Sequence, residues 1–136
     1  MTVMTLLRPD GLVRSPAFSH VAVIPPGVAT VYVGGQNAVD ANGALVGADD
    51  VAAQTAQVMA NLKTALAAAG ASMSDLVSCT ILFVDGVDLR AAYGVAARDF
   101  DADREPPLVT AAMVAGLAVP GALIELSAIA AVKPAA

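Results

Sequence analysis

The residue with the clearest potential for chemistry is Glu125, the one acid in the apolar segment GALIELSAIAAV at residues 121–132. A carboxylate among Leu, Ile and Ala is costly to bury unless a partner or a reaction uses it. In a strand, alternate side chains share a face, so Glu125 and Ser127 lie on a mixed face while Leu126 lies on an apolar one. Glu125 is therefore a candidate general acid or base, and the alternative is an exposed or salt-bridged strand glutamate.

Three other positions carry groups that could take part in chemistry. His20 is the only histidine, and no cluster of His, Cys, Asp or Glu has ligand spacing, so no metal site is predicted. Cys79 lies in the apolar segment VSCTILFV, and we interpret it as a small buried residue rather than a reactive thiol. Gly34, Gly35 and Gln36 end a β-rich segment, where the glycines either permit close approach of a ligand or form a strand bend.

The composition limits the class of protein. With 136 residues the chain is expected to form one domain, 1–136, in which residues 1–15 are a flexible or edge segment. A hydrophobic fraction of 57% with only 14% charged residues predicts an oligomer. A net charge of −5 with scattered cations excludes a nucleic-acid binder. The sequence lacks an uncharged apolar segment of about 18 residues, so no membrane span is predicted. One cysteine and no signal-peptide pattern favour the cytoplasm.

The hydrophobic pattern predicts which elements position these groups. Residues 19–39 hold two β-rich segments around a Pro-Pro-Gly turn, and Asn42-Gly43 predicts a type I′ hairpin turn. Asp49 or Asp50 is the expected N-cap of a long helix that stops at Gly70. The pattern after residue 50 predicts, in order, a helix over 51–69, a strand over 76–84, a helix over 88–100 and two strands around the turn at 120–121. This order predicts an α/β (α+β) domain with a single mixed sheet and two helices on one face.

The order and spacing of these segments resemble the reactive intermediate deaminase family, also called RidA or YjgF-like and often labelled endoribonuclease L-PSP. The resemblance covers about residues 16–132, and its most specific parts are the G-Q strand end before the N-G turn, the helix AAQTAQVMANLKTALAAAGAS and the ending PGALIELSAIA. It implies a chorismate-mutase-like fold and a homotrimer whose sheets form a central barrel, with sites in the clefts between subunits. The implied activity is hydrolysis of reactive enamines and imines, such as 2-aminoacrylate, without a metal or an organic cofactor.

The resemblance also assigns roles to individual positions. Glu125 matches the last-strand glutamate that helps to activate the attacking water, and Gly35-Gln36 match the G-Q strand end. Phe18 stands in place of a tyrosine, so that hydroxyl is missing. Val109 stands in place of the arginine that holds the substrate carboxylate, and valine offers no equivalent contact.

These positions predict a site with Glu125 as its catalytic residue. The expected substrate-binding residues are Phe18, Gly34, Gly35, Gln36, Tyr93, Val109, Ala111 and Met113. Because this lining is apolar, we expect a divergent enzyme that acts on a small, rather apolar imine or enamine. Two alternatives remain: a non-catalytic small-molecule-binding trimer, and a 2-aminoacrylate deaminase in which a neighbouring subunit supplies Arg14 or Arg104 as the cation.

Overall fold

The computed structural model describes residues 3–134, so the two residues at each end of the predicted domain lie outside the description. The elements, in chain order, are β1 (Thr5–Leu7), β2 (Val21–Val23), β3 (Ala29–Gln36), α1 (Val51–Ala68), β4 (Leu76–Val84), α2 (Leu89–Ala96), β5 (Leu108–Val114) and β6 (Ile124–Val132). Short 3-10 turns precede β4 and follow α2, at Met73–Asp75 and Ala97–Asp99.

The main sheet has four strands in the order β3-β6-β4-β5. β6 runs antiparallel to both of its neighbours, whereas β4 and β5 are parallel, so the sheet is mixed. β1 and β2 form a separate antiparallel hairpin. Ser19 ties this hairpin to the start of β5, because its N–H donates to the carbonyl of Pro107 (3.1 Å) and its Oγ to that of Pro106 (2.6 Å).

The hydrophobic core lies between one face of the sheet and the helices. The strand residues that face it are buried, and they are Ile124, Leu126 and Ala128 of β6 and Cys79, Ile81 and Phe83 of β4. From α1, Val58, Leu62 and Leu66 are fully buried in the same cluster. The alternation in β6 leaves Glu125 and Ser127 half-buried on the opposite face, which we call the open face. The predicted mixed sheet with two helices on one face is confirmed.

Both ends of α1 are as predicted. The carboxylate of Asp50 accepts a hydrogen bond from the N–H of Ala53 (3.0 Å), which makes Asp50 the N-cap. Gly70 follows the helix with φ 73°, and the N–H of Ala71 bonds to the carbonyl of Leu66 (2.9 Å). α2 is shorter than predicted, since its last turn tightens into the 3-10 turn at Ala97–Asp99.

The predicted type I′ turn at Asn42-Gly43 is wrong. That turn needs a positive φ at both residues, and only Gly43 has one, at 82°. The carboxylate of Asp40 instead accepts hydrogen bonds from the backbone N–H groups of Asn42 (2.9 Å) and Ala44 (3.0 Å). An aspartate that bonds to the backbone two residues ahead stabilises a different turn, and this interaction overrides the Asn-Gly preference.

Candidate active site

Glu125 is the second residue of β6, and its side chain lies on the open face at one end of the sheet. Its partner across β4 is Leu82. On the other side, the carboxyl group of Glu125 lies against the backbone of Gly35 at the end of β3. A Cβ atom built on Gly35 would lie only 2.9 Å from Glu125 Cδ and 3.0 Å from its Oε2.

The end of β3 is bent at the predicted Gly-Gly pair. Val33 pairs with Ala128 and Gln36 pairs with Leu126, so two residues of β3 lie opposite the single residue between Leu126 and Ala128. This is a β-bulge, which bends the strand and often occurs beside active sites. The side-chain amide of Gln36 folds back onto it and donates to the carbonyl of Gly34 (3.2 Å). The group that approaches this bend closely is the carboxyl of Glu125.

Two side-chain amides hold the backbone around Glu125, and sequence reasoning missed both. Gln54, whose side chain is fully buried, donates to the carbonyl of Gly121 (3.0 Å) and accepts from the N–H of Leu123 (2.8 Å). Asn37 donates to the carbonyl of Ile124 (3.2 Å). These bonds fix the chain immediately before Glu125.

A sequence signal for Gln54 does exist. Gln54 lies three residues after Val51 and four before Val58, both of which are buried, so a helix places it among core-facing positions. A polar residue at such a position needs hydrogen-bond partners, because an unpaired buried amide is costly. Its partners could not be predicted, since they lie about 67 residues away along the chain.

The predicted binding residues of β5 lie on the other side of the sheet. Strand register pairs them with residues that face the helices: Val109 with Cys79, Ala111 with Ile81 and Met113 with Phe83. The ring of Tyr93 in α2 lies 5.7 Å from that of Phe83, so Tyr93 is on this side too. Tyr93 and Met113 are both exposed, at 44% and 45%.

The structure therefore divides the predicted site into two groups. The first, which we call the carboxylate half-site, consists of Gly34, Gly35, Gln36 and Glu125 on the open face. The second, the apolar half-site, consists of Tyr93, Val109, Ala111 and Met113 on the helix side. Phe18 lies near the amino end of β5, where its ring and that of His20 form an edge-to-face pair with their centres 5.3 Å apart. Within one chain, β4 separates the two half-sites.

The charged groups of the described residues leave Glu125 without a cation. The ion pairs found over residues 3–134 are Arg8–Glu105 (2.6 Å) and Lys63–Asp99 (2.5 Å). Arg104 lies elsewhere, beside Glu105 in a cavity of about 280 Å³ that Met4 and Leu6 also line. The cations that the sequence offered as alternatives therefore do not pair with Glu125 within this chain.

The remaining candidates have structural roles. The imidazole Nε2 of His20 lies 2.7 Å from the carbonyl of Val13. Cys79 is buried in the core, as predicted, and burial raises the pKa of its thiol to about 12, which disfavours the nucleophilic thiolate. Across the described range, no group of three His, Cys, Asp or Glu residues could hold a metal ion. No helix in that range is long and apolar enough to cross a membrane.

These features define a class of small α+β domain. Its members have one mixed sheet with two helices on one face, and a last-strand glutamate lies beside a Gly-Gly bulge. The chain matches the family model described as endoribonuclease L-PSP over residues 13–132, and it belongs to that family. The predicted membership of the RidA/YjgF family is thereby confirmed.

Several known proteins are similar to this chain. The 3-aminoacrylate deaminase RutC of Acinetobacter baylyi is 37% identical over 100 residues, which are 74% of this chain and 77% of RutC. The solved structure of YyfB, a Rid-family protein of Yersinia pestis, is 34% identical with a TM-score of 0.82, covering 94% of this chain and 98% of YyfB. A YjgF/YER057c/UK114-family structure from Mycobacterium tuberculosis is 27% identical with a TM-score of 0.62, covering 95% and 99%.

Proposed function

We propose that this protein hydrolyses imines or enamines of small, rather apolar molecules, with Glu125 as the general acid and base. The observation that carries the proposal is the carboxyl of Glu125, which lies against the Gly35 backbone and pairs with no cation among residues 3–134. A carboxylate that is held in place and not neutralised by an ion pair is available to move protons. The name of the relative RutC, a 3-aminoacrylate deaminase, supports chemistry at a carbon–nitrogen bond.

The proposed reaction needs only water and one carboxylate. An enamine first tautomerises to its imine, and the oxygen of water then bonds to the C=N carbon. The carboxylate of Glu125 accepts a proton from this water and passes it to the nitrogen, which gives the carbinolamine and returns Glu125 to the carboxylate form. In the second step Glu125 accepts the hydroxyl proton and passes it to nitrogen as the C–N bond breaks, which releases ammonia and the carbonyl product. No electron is transferred in either step, so the reaction needs no oxidant or reductant.

We place this reaction in a cleft between two copies of the chain in a homotrimer. The two half-sites face away from each other, so a cleft that contains both needs the carboxylate half-site of one copy and the apolar half-site of the next. Two features support association. β3 and β5 are the outer strands of the four-stranded sheet, and outer strands are usually covered. Tyr32, which is 77% exposed, lies on β3 where a partner could cover it.

We expect the part of the substrate that binds at the apolar half-site to carry no carboxylate group. Val109 takes the position at which the family resemblance implies an arginine, and its side chain packs against the hydrophobic core. A valine makes no charge-assisted hydrogen bond to an anionic substrate. We also propose that the protein acts in the cytoplasm, where a single unpaired cysteine stays reduced.

The experiment tests whether the protein hydrolyses a neutral N–H ketimine with apolar substituents, and the rate is measured from the release of ammonia. We expect Glu125→Gln to lower kcat about 100- to 10,000-fold, because the amide keeps the shape of the side chain but cannot accept a proton. The matched control is Glu105→Gln, since Glu105 pairs with Arg8 and belongs to neither half-site. Unchanged turnover in Glu125→Gln would exclude the mechanism.

A non-catalytic small-molecule-binding trimer is the second candidate. It is favoured by Phe18 and Val109, which give the site neither a phenol hydroxyl nor a guanidinium group. Saturable binding of the ketimine without ammonia release would support this candidate, whereas any turnover that depends on Glu125 excludes it. Release of a keto acid from 2-aminoacrylate, generated by a dehydratase, would instead support the third candidate, a deaminase with a cation from a neighbouring subunit.

A further inference from the structure

The glycine at position 35 is not explained by its backbone conformation. Gly34 and Gly35 both lie in the extended strand β3, and neither has a positive φ. Alanine could therefore adopt either backbone conformation without strain. The two positions differ in what a side chain would meet. A Cβ on Gly34 has nothing within 4 Å, whereas a Cβ on Gly35 would lie 2.9 Å from Glu125 Cδ, closer than real Cβ atoms approach.

We propose that Gly35 is a positioning residue whose missing side chain forms a seat for the carboxyl group of Glu125. This inference rests on the proposed function only where it assigns Glu125 the acid/base role. The seat lets the carboxyl lie directly against the β3 bulge, with Oε2 about 3.0 Å from the point where a Cβ would be. A side chain in van der Waals contact on this side has fewer rotamers available, so the contact restricts the directions in which the carboxyl of Glu125 can point.

Hydrogen bonds tie the chain segments beside the seat to helix α1. Asn37, which follows β3 directly, donates to the carbonyl of Ile124. Asn61 of α1 donates in turn to the carbonyl of Asn37 (3.0 Å), and Gln54 holds the N–H of Leu123. The backbone on both sides of the contact is therefore tied to α1. A Cβ on Gly35 displaces the carboxyl of Glu125 rather than separating the strands.

The test is a double-mutant cycle with a neighbouring control. Gly35→Ala and Gly34→Ala are each made in the wild-type protein and in a Glu125→Asp background, where the carboxyl is one methylene shorter and no longer reaches the seat. We expect Gly35→Ala to lower kcat on the ketimine about 10- to 100-fold, with a smaller change in KM, since a displaced carboxyl loses the geometry of proton transfer. In the Glu125→Asp background we expect Gly35→Ala to have little further effect.

The control separates the seat from a general effect of filling the bulge. Gly34→Ala adds the same methyl group one residue away, and we expect its effect to be equal in both backgrounds. A crystal structure of Gly35→Ala should show the carboxyl of Glu125 in another rotamer with the strands unmoved. Equal losses for Gly35→Ala in both backgrounds, or an unmoved carboxyl, would overturn the proposal.

The seat can also be measured if Glu125 has no catalytic role. In that case Glu125→Gln keeps full turnover, which removes the proposed function but not the steric contact. The crystal structure of Gly35→Ala then provides the readout, because a carboxyl of Glu125 in another rotamer reports the steric contact without any turnover. A carboxyl that keeps its wild-type position would show that Gly35 makes no seat for Glu125.

Discussion

Val109 and Glu125 lie on opposite faces of one sheet, with β4 between their strands. Val109 pairs with the buried Cys79 and so faces the helices, whereas Glu125 pairs with Leu82 and faces away from them. A side chain cannot pass through a hydrogen-bonded sheet. If both residues contact the same substrate, they must therefore come from different copies of the chain.

This arrangement predicts complementation between two inactive variants. Glu125→Gln removes the proton acceptor, and Ala111→Trp fills the apolar half-site. When the two variants are expressed together, some interfaces combine the intact carboxylate half-site of one chain with the intact apolar half-site of its neighbour. Random mixing of equal amounts gives about a quarter of wild-type sites, so we expect about that share of ketimine turnover.

As the control, the two variants are purified separately and then mixed under conditions in which subunits do not exchange. This mixture should give no ketimine turnover. If co-expressed variants that form mixed oligomers, detected with two affinity tags, are also inactive, each site belongs to one chain.

Val109→Arg should extend the substrate range to carboxylates. A guanidinium group can bind a carboxylate through two charge-assisted hydrogen bonds. The aliphatic part of the arginine can cover the surface that Val109 now covers at the outer strand, so we expect a folded protein. We predict a rise of at least about tenfold in kcat/KM for 2-aminoacrylate, which is a modest share of the energy of a desolvated charge pair.

The matched control is Val109→Met, which lengthens the side chain without adding charge. Its kcat/KM for 2-aminoacrylate should stay at the wild-type level. A rise for the neutral ketimine as large as that for 2-aminoacrylate would contradict the carboxylate-binding explanation.

The parts of the fold that the sequence predicts well depend on neighbouring residues. A few adjacent positions are enough to predict the N-cap of α1 at Asp50 and the end of that helix at Gly70. The same is true of the alternation of buried and half-buried side chains in β6 around Glu125. The strand order cannot be predicted in this way. β5 and β6 are consecutive in the chain, yet β4 pairs between them, and this places Val109 away from Glu125. A sequence pattern shows which residues share a face of one strand, but not which strands are neighbours.

The environment of Glu125 shows the same limit. The Gly-Gly pair predicted either a bend or a close approach, but only the structure shows that the approaching group is a carboxyl of the same chain. Gln54 could be recognised as a polar residue on an apolar helix face, whereas its partners Gly121 and Leu123 follow from tertiary packing.

Gln54 should be important for stability as well as for the position of β6. Its amide also donates to the carbonyl of Gly47 (3.1 Å), so one buried side chain satisfies three backbone groups. Gln54→Met keeps a similar volume but leaves those groups without this partner. We expect the free energy of unfolding to fall by about 3 kcal/mol, measured by urea denaturation.

Gln57→Met is the matched control on the same helix. Gln57 is half-buried and donates one hydrogen bond, to Oδ1 of Asn61 (2.8 Å), so we expect a loss of about 1 kcal/mol or less. Equal losses for the two variants would show that the three backbone hydrogen bonds of Gln54 contribute no more than the single, partly buried hydrogen bond of Gln57.

Because the thiol of Cys79 is buried, we predict that the folded protein loses stability at alkaline pH. Burial raises the pKa of its thiol from 9.0 to about 12, so the folded protein keeps the proton after the unfolded chain has lost it. The unfolded state then binds fewer protons than the folded state, and stability falls as pH rises. The contribution is fully present below pH 9 and is lost toward pH 12, at roughly 1.4 kcal/mol for each pH unit between these values.

Comparison with Cys79→Ala isolates this contribution, because the other groups that ionise above pH 9 are the same in both proteins. The variant should be less stable at neutral pH, since it leaves a cavity beside Ile81 and Phe83. Its free energy of unfolding should fall less steeply above pH 9, so that the two curves converge. Parallel curves from pH 8 to 11 would mean that the thiol has the same pKa in the folded and unfolded states, which would contradict this prediction.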